Sequence, residues 1–169
     1  MGEKIRMDAR REASRLLHAH WDGSLPVRLT EMSVAIGAHK YEADLGSLLT
    51  GLVTKEPFGD PRIALNSTHS AARRRFTWAH ELGHIVESVL AGNENEYEFV
   101  DTLELVSGGL EVFADEFARA LLIPEAELRR LQADDLTPGQ IARVFAVTVG
   151  AIDSRIEDLA LTASEVIHA

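Results

Sequence analysis

No cysteine occurs in these 169 residues, which removes any disulfide scaffold and any thiolate metal ligand and fits a reducing compartment. No apolar run approaches the ~20 residues needed to cross a bilayer. The longest, Val144 to Ile152, has a threonine inside it. The opening residues, Met1-Gly2-Glu3-Lys4-Ile5-Arg6, lead into a charged amphipathic stretch with no apolar block of the signal-peptide kind. A soluble, cytoplasmic protein without membrane contact is the expectation. At 46% hydrophobic residues the chain can bury one good core, so a single domain over residues 1–169 is expected.

Lysine and arginine are missing from Phe76 to Glu116. That stretch holds Glu81, Glu87, Glu94, Glu96, Glu98, Asp101, Glu104, Glu111, Asp115 and Glu116, ten acids that equal the formal net charge of −10. The rest of the chain is balanced at 17 acids against 17 bases. A negative field there attracts a dication and a basic polypeptide and repels nucleic acid phosphate. The blander reading makes Asn93 to Glu104 a solvated loop whose charges serve solubility.

What is present is His80-Glu81-Leu82-Gly83-His84. Positions four apart on a helix project from nearly the same face, so the two imidazoles can converge on one metal ion. Glu81, about a quarter-turn round, is placed to hydrogen-bond a water at the open coordination position. Three fixed letters in five also arise by chance, with the histidines as core or cap residues. Gly83 inside a helix costs roughly 1 kcal/mol relative to alanine. Close backbone packing beside the metal would compensate.

A three-ligand catalytic site needs one more protein ligand. With Glu87 and Leu90 where a downstream glycine and histidine would stand, and His168 the only later histidine, a carboxylate is required. The stretch from Gly109 to Pro124 reads as a helix, with Leu110, Phe113, Ala114, Phe117, Ala118, Leu121 and Leu122 at spacings of three and four. Glu111 on it can reach the metal, while Asp115, one turn on, accepts a proton from the second nitrogen of a ligating imidazole. Both acids would otherwise be solvated first-turn residues favoured by the helix dipole. Glu87 competes as ligand, but it rides about 10 Å along the axis from His80, which strains closure around one ion.

Around these motifs, helices are expected from about Lys4 to His20, Thr30 to Ile36 and Ser70 to Leu90, the last ending at Gly92. Three short strands are expected near Lys40 to Ala43, Leu48 to Thr54 and Arg62 to Leu65. One of the last two would hold an extended substrate by strand addition. His69 and Tyr97 are candidates for stabilising the oxyanion, against readings as a helix cap and a loop anchor. Thr137-Pro138-Gly139-Gln140 has a capping-box pattern, and the two helices that follow, across Val147-Thr148-Val149-Gly150, look like a helix-turn-helix. The second offers Arg155 against Asp153, Glu157 and Asp158, which suits packing or partner binding better than DNA.

The runs Arg62-Ile63-Ala64-Leu65-Asn66-Ser67, Arg73 through His84, and Glu111-Val112-Phe113-Ala114-Asp115-Glu116-Phe117-Ala118 through Pro124 closely resemble the ImmA/IrrE family of metallopeptidases. The resemblance covers most of the chain. It implies a cytoplasmic bacterial or phage zinc peptidase that cleaves a helix-turn-helix repressor and so derepresses transcription. It places the zinc ligands on His80, His84 and Glu111 and the general base on Glu81. Two departures stand out: Ile85-Val86-Glu87-Ser88 occupies the place where many members carry another histidine, and Asp115 replaces an asparagine. The expected fold is a mainly helical α+β, zincin-like domain, with a catalytic core over about 1–133 and the helix-turn-helix-like pair over about 134–162. Two other classes remain: a metal-containing regulatory partner that binds without cleaving, and a DNA-binding transcription regulator working through its last two helices.

Overall fold

The computed structural model describes residues 2–93, 95–102 and 108–167, with side chains described to residue 160. Met1, Glu94, Glu104 and His168 lie outside the described residues. The described elements run α1 (Gly2–His20), α2 (Leu29–Ile36), β1 (His39–Ala43), β2 (Leu49–Lys55), β3 (Arg62–Asn66), α3 (Ala71–Leu90), β4 (Tyr97–Thr102), α4 (Gly109–Leu122), α5 (Glu125–Ala133), α6 (Pro138–Phe145) and α7 (Val149–Ile167).

The sheet has four strands in the order β1-β3-β2-β4, with β1 parallel to β3 and the other two pairings antiparallel. This corrects the expectation of three. The added strand, β4, lies in the acid-rich segment that composition assigns to a loop. Its alternation is nonetheless that of a half-buried strand, with Tyr97, Phe99 and Asp101 partly buried and Glu98 and Val100 exposed. The pairing of Leu52 with Val100 and of Val53 with Phe99 supplies the backbone hydrogen bonds that a loop would have left to water. A second departure is α5, which begins directly after Pro124, where the sequence reading stopped.

Local signals explain the elements that position the site. Ser70 accepts a hydrogen bond from the Arg73 amide and starts α3, while Gly92, at φ 71°, takes the left-handed conformation past its end. The capping box of α6 forms as read, with the Thr137 hydroxyl accepting from the Gln140 amide and the Gln140 side chain accepting from the Thr137 amide at 2.9 Å. The core lies between the sheet and the helices. Val53, Ile63 and Leu65 from the strands meet Ala79, Leu82 and Ile85 of α3, which packs in turn on Phe113, Phe117 and Leu121 of α4.

A buried charge cluster ties α4 to α1 and α7. Glu116 is fully buried and accepts from Arg10 Nε at 2.6 Å and Arg155 Nη1 at 3.0 Å, with Arg6 and Arg119 at 3.5 and 3.6 Å. Arg155 also donates to the Ile123 carbonyl at 3.4 Å. The arginine counted as the one base of a recognition helix is therefore a core residue. The C-terminal pair consists of two helices packed on each other and joined through Ala146, at φ 54°, with α7 turning its arginine inward.

Candidate metal centre

α3 presents His80 and His84 on one face, and α4 brings Glu111 and Asp115 against it. The approach is close because Gly83 faces Ala114: a Cβ at position 83 would stand 2.8 Å from the Ala114 Cα and 3.1 Å from its carbonyl oxygen. The glycine that looked costly by helix propensity is what allows the two backbones to meet beside the site. His80 Nε2 is 3.4 Å from Glu111 Oε2, and His84 Nε2 is 3.6 Å from Glu111 Oε1. His80, Glu81 and His84, the three motif residues, are all buried.

β4 supplies the residue that the sequence reading missed as a partner of the histidines. Asp101 places Oδ2 3.1 Å from His80 Nε2 and Oδ1 3.8 Å from His84 Nε2. One donor atom each from His80, His84, Asp101 and Glu111 lies within 4.8 Å of the others. Phe99, two residues back on the same face of β4, stacks on the His84 ring at 4.5 Å and 5°. The signal that could have found Asp101 was the two-residue period Tyr97, Phe99, Asp101, which puts that acid on the same side as two aromatics.

Polar satisfaction shows what such a cluster can hold. His80 Nδ1 is 2.9 Å from Asp115 Oδ1. Burial raises the Asp115 pKa, but the His80 bond and the Arg119 charge more than offset it, so the carboxylate is ionised and the ring nitrogen donates. That bond turns His80 Nε2 towards Glu111 and Asp101, where a metal ion would replace the Nε2 proton. Nε2 of His80 and both nitrogens of His84 have no hydrogen-bond partner among the described residues. Buried donors and acceptors left in this state are costly unless something pairs with them. A divalent cation satisfies both imidazoles and both carboxylates at once, so these residues fit a metal ion.

Glu81 sits beside this point with both carboxylate oxygens buried and without a partner among the described residues. Desolvation first, and the Asp101 charge second, push its pKa well above the ordinary glutamate range. Its place is set by β2. A Cβ on Gly51 would stand 2.8 Å from Glu81 Oε1 and 2.5 Å from Thr77 Cγ2, so only glycine leaves room for that carboxylate against the strand. For His80, burial lowers the pKa, but the Asp101, Asp115 and Glu111 carboxylates outweigh it and hold it well above 6.5.

The other sequence candidates, His69, Tyr97 and Glu87, are outside the four-residue cluster. His69 precedes the first turn of α3, and Ala71 to His80 alone spans roughly 13 Å of helix. Its carbonyl accepts from Arg74 at 2.6 Å, and Ser70 is the cap. Tyr97 is at the opposite end of β4 from Asp101, about 13 Å along the strand, with its ring 5.8 Å from that of Phe99, and it lines a cavity with Glu87, Phe99 and Leu110. Burial pushes its phenol up to about 12. Glu87, the rival ligand, is outside the four-residue cluster. A cavity of about 810 Å³ elsewhere on the molecule is lined by Arg10, Arg11, His18 and Trp21 and contains none of the cluster residues.

Two imidazoles on one helix, carboxylates converging on them and a buried glutamate alongside make a donor set of the kind used by divalent-metal hydrolases. The chain belongs to the M78 metallopeptidase family: the family model described as the IrrE N-terminal-like domain matches residues 27–157. No curated protein matches it significantly. Among solved structures it is similar to one described as a Mycobacterium tuberculosis transcriptional regulator, with 17% identity and a TM-score of 0.56, over 88% of this chain and 45% of that one. That likeness carries the fold alone, and this chain spans less than half of that protein's length. No helix among the described residues is long and apolar enough to cross a membrane.

Proposed function

We propose that this chain is a zinc-dependent endopeptidase that cleaves a basic, DNA-binding repressor of the helix-turn-helix kind and so relieves repression. His80, His84 and Glu111 hold the metal, with Asp115 orienting His80. When bound, zinc supplies Lewis acidity, making water acidic near neutrality and polarising the scissile carbonyl. Glu81 accepts the proton of the attacking water and passes it to the departing amine. The observation that carries this reading is the meeting of His80, His84 and Glu111 within contact distance, with Glu81 buried beside them.

Charge supports a cationic substrate. Asp101, Glu111 and Asp115 gather at the centre, and a cavity of about 330 Å³ next to it is lined by Glu87, Phe99 and Leu110. Glu87 Oε2 is buried there without a partner among the described residues. A second reading, a metal-holding regulator that binds its partner without cutting it, is favoured by one observation: Asp101 offers a fourth protein ligand. The DNA-binding reading loses its base, since Arg155 is buried against Glu116.

The test measures bound zinc in wild type and His84→Ala, then incubates wild type and Glu81→Gln with the repressor encoded beside the gene. Zinc should fall in His84→Ala. Cleavage should fall by roughly 10²-fold or more in Glu81→Gln, with zinc retained. Equal zinc refutes the site, and equal cleavage refutes the chemistry.

A further inference from the structure

We propose that Asp101 is a fourth protein ligand to the metal, which closes the centre at rest, so that the C-terminal end of β4 must withdraw before a peptide can be cut. The latency half of this proposal rests on the peptidase reading above; the coordination half does not.

Distances support direct ligation. A tetrahedral shell with bonds of about 2.1 Å has edges 1.63 times longer, about 3.4 Å. The shortest imidazole-to-carboxylate separations, each through a different oxygen, are 3.1 and 3.8 Å to Asp101 and 3.4 and 3.6 Å to Glu111, and one donor atom from each of the four residues lies within 4.8 Å of the others, close enough for small side-chain shifts to form such a shell. Asp101 thus straddles the same edge length as the ligand named from sequence. An outer-sphere carboxylate would instead be bonded to the outward nitrogen of one ring, as Asp115 is to His80, whereas Asp101 faces the inward Nε2 of both. Nothing else saturates the imidazoles: His84 is fully buried and its Nε2 lacks a hydrogen-bond partner among the described residues.

Charge and topology agree with this. Two neutral imidazoles and the Asp101 and Glu111 carboxylates balance the charge of a dication within its own ligand shell. Asp101 pairs in register with Gly51, and the β2–β4 pairing shifts between Leu49 and Gly51. An irregularity of that kind re-aims the side chain beside it. Withdrawal of Asp101 would give up only the last two pairings of the ladder, Gly51 with Asp101 and Leu49 with Thr102 on either side of the irregularity, and leave those of Leu52 with Val100 and Val53 with Phe99. Closed four-ligand sites are structural, and open three-ligand sites are catalytic. Movement of this one residue converts the first kind into the second.

The test uses the full chain loaded with Co²⁺, whose visible spectrum reports its coordination. Asp101→Asn should bind Co²⁺ at least tenfold more weakly than wild type and show a changed spectrum. Acetohydroxamate should bind the loaded variant at least tenfold more tightly, having no carboxylate to displace. Azide should leave the wild-type spectrum unchanged and alter that of the variant. An unchanged Co²⁺ affinity and spectrum in Asp101→Asn overturns ligation. Equal acetohydroxamate affinity overturns closure. If the variant fails to fold by circular dichroism, the azide titration of wild type decides alone, and a spectral response there overturns the proposal. If neither wild type nor Asp101→Asn cuts the repressor while the metal readouts hold, the peptidase reading falls and Asp101 ligation stands.

Discussion

Replacing Gly83 by alanine sets two effects against each other, and their sizes decide the outcome. Alanine is the better helix former by roughly 1 kcal/mol, and in an isolated α3 it would stabilise. In the folded protein its methyl carbon would sit 2.8 Å from the Ala114 Cα, 3.1 Å from the carbonyl oxygen and 3.3 Å from the Cβ. Carbon contacts are comfortable at 3.5–4.0 Å, so α3 and α4 must part by about 0.7 to 1.2 Å. The obstacle is backbone, which no rotamer change can move aside. Overpacking of this size costs typically 1–3 kcal/mol, leaving a net loss of about 0–2 kcal/mol. The metal centre feels the change more sharply. Ligand bonds tolerate about 0.2 Å, and His80 and His84 stand on one of these helices and Glu111 on the other. Zinc affinity should therefore fall at least as far as on loss of an outer hydrogen-bond partner, roughly 10 to 100-fold. Urea unfolding of the metal-free protein gives the first quantity, and competition with a chromophoric chelator gives the second. A variant that is about 1 kcal/mol more stable and binds zinc as wild type does would refute the role assigned to this contact.

Asp115→Ala leaves His80 free to turn and to change tautomer, so zinc affinity should drop by roughly 10 to 100-fold while far-ultraviolet circular dichroism stays unchanged; equal affinity by chelator competition would count against the orienting bond. Glu116→Gln strands the buried Arg155, and urea unfolding at neutral pH should show a loss of about 3–5 kcal/mol. The same residue makes a pH prediction. Burial raises the Glu116 pKa, but the Arg10 bond and the Arg119 and Arg155 charges pull it below 4.5 in the folded state. A depressed carboxylate stabilises above its unfolded pKa, so its contribution is present at neutral pH and is lost as pH falls below about 4.5. Acid titration followed by fluorescence should accordingly be shallower in Glu116→Gln than in wild type; parallel acid limbs would show that the cluster does not carry this linkage.

The parts of this molecule that were legible in sequence are those governed by short-range rules. The 3.6-residue period placed α1, α3 and α4, and the capping box placed α6, because those signals depend on neighbours a few positions away. The spacing of His80 and His84 fixed a shared face, and the need for one more ligand pointed to Glu111, which the structure does bring to that face. Two things escaped. β4 was hidden because four of the acids around it look solvated; only a strand partner, Leu49–Lys55, makes sense of a partly buried aspartate near its end. Glu116 counts in sequence only as one of the acids around the motif and Arg155 only as the single base of the last helix, since nothing local tells that residues 39 positions apart meet in the core. Gly51 shows the same limit: its lack of a side chain matters because Thr77 and Glu81, 26 and 30 positions away in sequence, come within 2.5 and 2.8 Å of the atom it omits.

Asp115 and Glu116 are neighbours on α4, so their side chains leave the helix about 100° apart around its axis. One is bonded to His80 on α3, and the other to Arg10 on α1 and Arg155 on α7. A rod gripped at two angles cannot roll. At a side-chain radius of about 6 Å, a 10° roll would carry a carboxylate about 1 Å, enough to lose a coordination bond. The arginines far from the chemistry thus serve as a torsional brace, setting the aim of Glu111 from the opposite flank of the helix.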